Sequence, residues 1–253
     1  METVESPAAS VRSPARRGNP WPGLAPFTET TQSQFKGRDD EIEELLRRVS
    51  NARLTVLFGK SGLGKSSLVQ AGLFPRLRAV HILPVLVRLQ LRTDRLPLID
   101  QLRTALLQQF DEQHVDAPPI REDESLWEYL HRRDLEFWSD TNRLLVPLFV
   151  LDQFEELFTL GEQVPEAVSD FRSDFGNLAE NGIPRDVANR CERDPRMVES
   201  LDVRGWHYGV LVCMREDFLP QLEGWRRSIA SLGSNRMRLL PMKRRQALPN
   251  MSK

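Results

Sequence analysis

The sequence predicts an α/β fold, a mostly parallel sheet with helices on its faces. Three observations predict it. Short apolar runs at 54–58, 144–152 and 207–215 end on a glycine or on a charged residue. Segments of helical periodicity lie between them. A glycine-rich loop joins the first run to the helix after it. Strands alternating with helices imply βαβ units. Right-handed crossovers then place every strand's C-terminal end on one edge, where ligands of such sheets bind.

The elements follow in order. Residues 1–18 are rich in Ser, Pro, Ala and Arg without hydrophobic periodicity, and read as a disordered tail. NPWPGLAPF (19–27) reads either as a linker or as an extended path pinned to the core by its apolar residues. A helix is expected over 39–49, because Ile42, Leu45, Leu46 and Val49 share one face. A strand follows at 54–58, then a helix over 65–74 that Pro75 should stop. A second strand is expected over 81–89, with Pro84 arguing for an edge position or a bulge. Helices are expected over 96–110 and 125–138, with a loop between them. The run 144–152 suits a strand buried on both faces and closing on Asp152. A helix is expected over 165–181, whereas 182–204 is polar and has no clear pattern. A buried strand at 207–215 ends on Arg215, a short helix covers 217–225, and a last strand spans 236–242. The basic segment 243–253 is a tail, so one domain occupies 19–242.

Composition excludes several classes. With 253 residues, 40% of them hydrophobic, the chain can bury one sizeable core. The net charge of -1 argues against a nucleic-acid or anionic-lipid partner. No apolar run approaches the ~18 residues of a membrane span, and no signal-peptide core opens the chain. The expected location is the cytoplasm. Cys191 and Cys213 form neither a disulfide framework nor a zinc spacing, and the four histidines are scattered without ligand spacing.

The chemistry concentrates in Gly59-Lys60-Ser61-Gly62-Leu63-Gly64-Lys65-Ser66, a full G-x-x-x-x-G-K-[ST] P-loop. Glycines let the backbone wrap phosphates, and N–H groups with the following helix N-terminus face the negative charge. Lys65 should reach the β- and γ-phosphates, Ser66 should bind Mg²⁺, and Ser67 completes the nucleotide-binding set. Asp152 can hold Mg²⁺ as well, or cap the next helix. Glu155 or Glu156 can orient and deprotonate the attacking water, or form a solvated charged pair. Arg215 can touch the γ-phosphate, or pair with Glu216 or Asp217 at the surface. The strand at 81–89, between the P-loop unit and the Asp152 strand, favours the ATPase branch of P-loop proteins, called ASCE, over the nucleoside-kinase branch.

With these residues in hand, the sequence resembles the STAND NTPases, signal-transduction ATPases with numerous domains, and within them the bacterial group called novel STAND NTPases. The resemblance spans 19–242. It rests on NPWPGLAPF, FKGRDDEIEELL (35–46), LFGKSGLGKSSLVQAGLFPRL (57–77), VLDQFEELFTL (150–160) and VLVCMREDFLPQL (210–222) in that order and spacing. It implies a five-stranded core of strand order 5-1-4-3-2. It implies that Gly37 and Arg38 lie near the adenine, that Asp152 is the Mg²⁺ acid, and that Arg215 is the phosphate-sensing arginine. It implies a slow ATPase used as a switch: off with ADP, on and homo-oligomeric with ATP. WD-repeat or other sensor modules and effector domains are the expected partners, in a longer or neighbouring chain. Two departures stand out. Gln153 occupies the position where many related ATPases carry an acid, so the base is Glu155 or absent. The sequence also stops just past the last core strand, so the helical and winged-helix parts are expected elsewhere, as in a fragment or split member.

Three functions compete at this stage: an ATP-hydrolysing regulatory switch, a nucleotide-binding interaction module with little or no hydrolysis, and a DNA-associated ATPase. The near-neutral charge weakens the last of these.

Overall fold

The computed structural model describes residues 25–91 and 96–242. The expected tails at 1–18 and 243–253, and residues 19–24 of the NPWPGLAPF segment, lie outside them.

Five parallel strands form one sheet: β1 (Leu54–Gly59), β2 (Ile82–Val87), β3 (Val146–Leu151), β4 (Gly209–Arg215) and β5 (Arg236–Arg238). Their order across the sheet is β2-β3-β4-β1-β5, the expected 5-1-4-3-2 read from the other edge. The register pairs Leu54 with Val210 and Gly59 with Arg215, and on the other side Leu148 with Gly209. β2 is an edge strand, as Pro84 requires of a residue with no backbone donor.

Successive side chains of the central strands enter opposite cores, the period-2 alternation of an extended chain. Val56, Val210, Val212 and Met214 enter one core; Leu57, Leu211 and Cys213 enter the other. That second core is closed by α1 (Asp39–Asn51) through Ile42, Leu45 and Val49, and by the helix that leaves the P-loop. That helix begins as α2 (Lys65–Ser67), widens into a π-helical stretch (Leu68–Leu73) and continues as α3 (Phe74–Ala79). Pro75 therefore does not stop it. Pro75 stands just past the π-helical stretch, and the wider turn before it accommodates the ring and the missing N–H.

The first core is covered by α4 (Leu98–Glu112), α5 (Leu126–Leu130), α7 (Pro165–Glu180) and α10 (Leu219–Trp225), with α6 (Glu156–Thr159) between β3 and α7. The helix expected over 125–138 is only the five residues of α5. Ser125 and Glu128 form a capping box at its start. At its end the chain turns to pair Arg132 with Leu201 and Trp138 with both Asp116 and Leu144. The polar stretch at 182–204 contains two helices, α8 (Arg185–Arg193) and α9 (Pro195–Ser200). A proline precedes the first and opens the second, and Asp194 caps the second through the Arg196 N–H. The last strand is shorter than the expected 236–242. Leu239 still donates to the Phe58 carbonyl, but Pro241 soon follows. Among the described residues no helix is long and apolar enough to cross a membrane.

Candidate functional site

Four strands deliver their C-terminal ends to one edge. β1 leads into the P-loop, β2 is followed at once by Arg88, β3 by Asp152, and β4 ends on Arg215. Because β2, β3, β4 and β1 are neighbours in that order, residues far apart in sequence line one cleft of about 720 Å³.

The P-loop takes its shape from its glycines. Gly62 and Gly64 have φ of 76° and 83°, in the left-handed region where a side chain strains the backbone. A Cβ on either would meet open space, so conformation and not crowding demands glycine there. Gly59 is different: a Cβ on it would stand 2.7 Å from the Leu239 carbonyl oxygen, so the first glycine lets the last strand close against the loop. Lys65 Nζ donates to the carbonyls of Gly59 (2.9 Å) and Lys60 (3.1 Å), folding back over the loop. Burial pulls the Lys65 ammonium below its ordinary range, while the charges of Glu155 and Asp152 oppose that shift.

Asp152 is 6% exposed. Ser66 Oγ lies 2.9 and 3.1 Å from its two carboxylate oxygens. Arg88 Nη2 donates to Oδ2 at 3.0 Å. Asp152 caps no helix, since the residue at the head of α6 is Glu155. Gln153 adopts a left-handed φ of 59°, turning the chain so that Glu155 comes back to the cleft. There Glu155 Oε2 accepts the Arg215 N–H at 3.2 Å. Glu156 lies outside the cleft's lining. Its carboxyl is raised by burial, then by Glu155 and Asp152, and lowered by Arg88. The Arg215 guanidinium pairs with Asp217 at 2.6 Å, the surface pairing the sequence allowed.

Ser66 and Asp152 suit a hard cation: a hydroxyl and a carboxylate converge, and the nearby sulfur is no rival. Burial pushes the Cys213 thiol well up, so it stays protonated beside the cleft. Among the described residues no three His, Cys, Asp or Glu side chains gather as a metal cage.

Ser61, Gly62, Gly64, Lys65, Ser66, Ser67, Asp152, Glu155 and Arg215 line the cleft; Gly59, Lys60, Leu63, Gly37 and Arg38 do not. Gly37, at φ 83°, delivers Arg38 to a buried position behind the loop. Arg38 donates there to Glu41 (2.7 Å), to the Leu240 carbonyl (2.8 Å) and more weakly to the Leu63 carbonyl (3.4 Å). From the N-terminal side, Ala25, Pro26 and Phe27 reach the cleft, and the Phe27 N–H donates to Ser67 Oγ at 3.0 Å. Sequence reasoning missed Arg88, although the signal was present: it is the first charge after an apolar strand run, as Asp152 and Arg215 are.

A family model described as Novel STAND NTPase 1 matches residues 20–251. Among solved structures, the chain is similar to a Walker-type ATPase of Pyrococcus abyssi. The TM-score is 0.53 at 14% identity, over 88% of this chain and 58% of that one. It is also similar to Cdc6p of Pyrobaculum aerophilum, with a TM-score of 0.45 at 15% identity, over 83% of this chain and 46% of that one. At 14% identity, the first of these shows the fold alone. The chain thus spans 58% and 46% of the lengths of these two proteins. No curated protein matches.

Proposed function

The chain belongs to the novel STAND NTPase 1 family, and on that premise we propose that it is an ATP-binding switch of bacterial signalling or defence that hydrolyses its nucleotide slowly. The observation that carries this reading is the gathering of a P-loop lysine, a Ser–Asp oxygen pair, a second carboxylate and an arginine in one cleft.

Each residue has a task in the proposal. The P-loop amides and Lys65 bind the phosphates; Lys65 exchanges the Gly59 and Lys60 carbonyls for phosphate oxygens. Ser66 and Asp152 hold Mg²⁺, which when bound neutralises charge on the β- and γ-phosphates. Glu155 orients the attacking water and takes its proton. Arg215 reads the γ-phosphate. Its pair with Asp217 is 42% and 55% exposed, so giving it up costs at most about 1 kcal/mol, well within what a phosphate contact returns. An ATP-state homo-oligomer, and WD-repeat sensor or effector modules in the same or a neighbouring chain, belong to the proposal and rest on analogy with the family alone.

A second reading has two observations in its favour. Gln153 stands directly after Asp152, and the Glu155 carboxylate is engaged by a backbone amide, so binding with little hydrolysis is the alternative. One experiment separates the two. Phosphate release is measured with Mg²⁺-ATP for the natural chain and for Lys65→Ala, beside equilibrium ATP binding. The switch reading expects tight binding and slow turnover, both lost in Lys65→Ala. Binding without turnover above the variant favours the module; equal binding by both proteins sinks both readings.

A further inference from the structure

Arg88 makes an unequal pair with Asp152. The carboxylate is 5% exposed and the guanidinium is 47% exposed. A carboxylate so far from water needs a fixed counter-charge. The other cations of the cleft are turned elsewhere: Lys65 faces the Gly59 and Lys60 carbonyls, and Arg215 faces Asp217. Arg88 therefore supplies the direct ion pair, while Lys65 feels the charge of Asp152 but is hydrogen-bonded elsewhere. The oxygen it holds, Oδ2, is also the one nearer to Ser66 Oγ. Ser66 and Asp152 are the pair proposed above for Mg²⁺, so the guanidinium engages the same carboxylate that would face the metal. Two cations beside one carboxylate repel each other.

We propose that Arg88 is a positioning residue that stands in for the metal on Asp152, holding the carboxylate beside Ser66 while no Mg²⁺ is bound and leaving it when Mg²⁺ arrives. The proposal rests on the ATP-binding reading. Its half-exposed side chain can swing into solvent without opening a cavity, whereas Asp152 stays fixed by Ser66. Glu156 offers a second resting place. Burial and Glu155 raise its carboxyl, and Arg88 is the cation that lowers it.

The consequence is a weakened coupling between metal and nucleotide. With Arg88 present, metal-free ATP meets a neutralised Asp152. Without Arg88 it meets a bare buried carboxylate, and Mg²⁺ meets no competitor. The test is equilibrium binding of a fluorescent, non-hydrolysable ATP analogue, once in EDTA and once in Mg²⁺, with the ratio of the two Kd values as the readout. Arg88→Ala and Arg88→Gln should each raise that ratio roughly tenfold over the natural chain, the exposure of the guanidinium limiting the effect. Arg88→Lys should restore it, because a charge remains. Glutamine keeps a hydrogen-bond donor without the charge, so a ratio unchanged in both Ala and Gln overturns the proposal, as does a lysine variant that behaves like alanine. A merely structural role would shift both Kd values together and leave the ratio alone. If the natural chain and Lys65→Ala bind the analogue equally in Mg²⁺, the ATP reading itself has failed, a result distinct from an unchanged ratio in a chain that binds.

Discussion

Replacing Arg38 by alanine should destabilise the domain by about 3 kcal/mol. The side chain is 4% exposed and ties three parts of the chain together: Glu41 in α1, the carbonyl of Leu240 beyond β5, and the carbonyl of Leu63 in the P-loop. Its removal leaves a carboxylate and a carbonyl without their donor. Each charge-assisted bond of this kind is worth about 1.5–3 kcal/mol, and breaking a buried ion pair costs about 3–5 kcal/mol. The contact to Leu63, at 3.4 Å, adds little. Glu41 is 21% exposed, so water can partly solvate it, which places the sum at the lower end. For a domain of this size each kcal/mol moves Tm by about 2–4 °C, so calorimetry should find a fall of about 6–12 °C. Arg38→Lys should recover less than half of it, because an ammonium on a flexible stem does not reproduce the guanidinium fork. A fall under about 2 °C, or full recovery by lysine, would refute the idea that one guanidinium braces the loop from behind.

Two further outcomes are expected. Asp174→Asn should raise Tm at pH 7 and leave it unchanged near pH 3. Burial, then Asp170, Asp186 and Asp100, raise the Asp174 carboxyl above its ordinary value, so its charging opposes folding above the folded pKa and not below the unfolded one; a stabilisation equal at both pH values would contradict this. Glu155→Gln should keep ATP affinity while lowering phosphate release roughly 10²-fold, since the amide oxygen can still accept the Arg215 N–H but takes up no proton; undiminished release would mean that another group activates the water.

Much of this site was legible because its signals are local. A P-loop is eight consecutive residues, and Asp152 and Arg215 announce themselves as charges that end apolar runs. Arg88 carries the same signature, but Leu89 after it made the run look longer, and the charge was absorbed into the strand. Arg38 is a different case. Its partners at Leu63 and Leu240 lie 25 and 202 residues away, and no pattern in the sequence reports such a bond. The fold shows the same division. α1 follows from helical period, whereas the strand order comes through the family resemblance and not from the pattern of the strands themselves. The brevity of α5 follows from neither, because pairing of Arg132 with Leu201 decides where the chain turns. Helices α8 and α9 escaped because their residues are mostly polar, and only Val187 of the two is buried.

The bond between the Phe27 amide and Ser67 Oγ ties the N-terminal segment to the helix that carries the phosphate-binding lysine. A hydroxyl accepts two hydrogen bonds and donates one. Phe27 uses a single lone pair, and among the described residues the Ser67 proton goes to no acceptor. Holding the chain at Phe27 and donating to a further acceptor are thus compatible for this one side chain. A shift of the Phe27 backbone would therefore be felt, one bond later, in the first turn of the helix that leaves the P-loop.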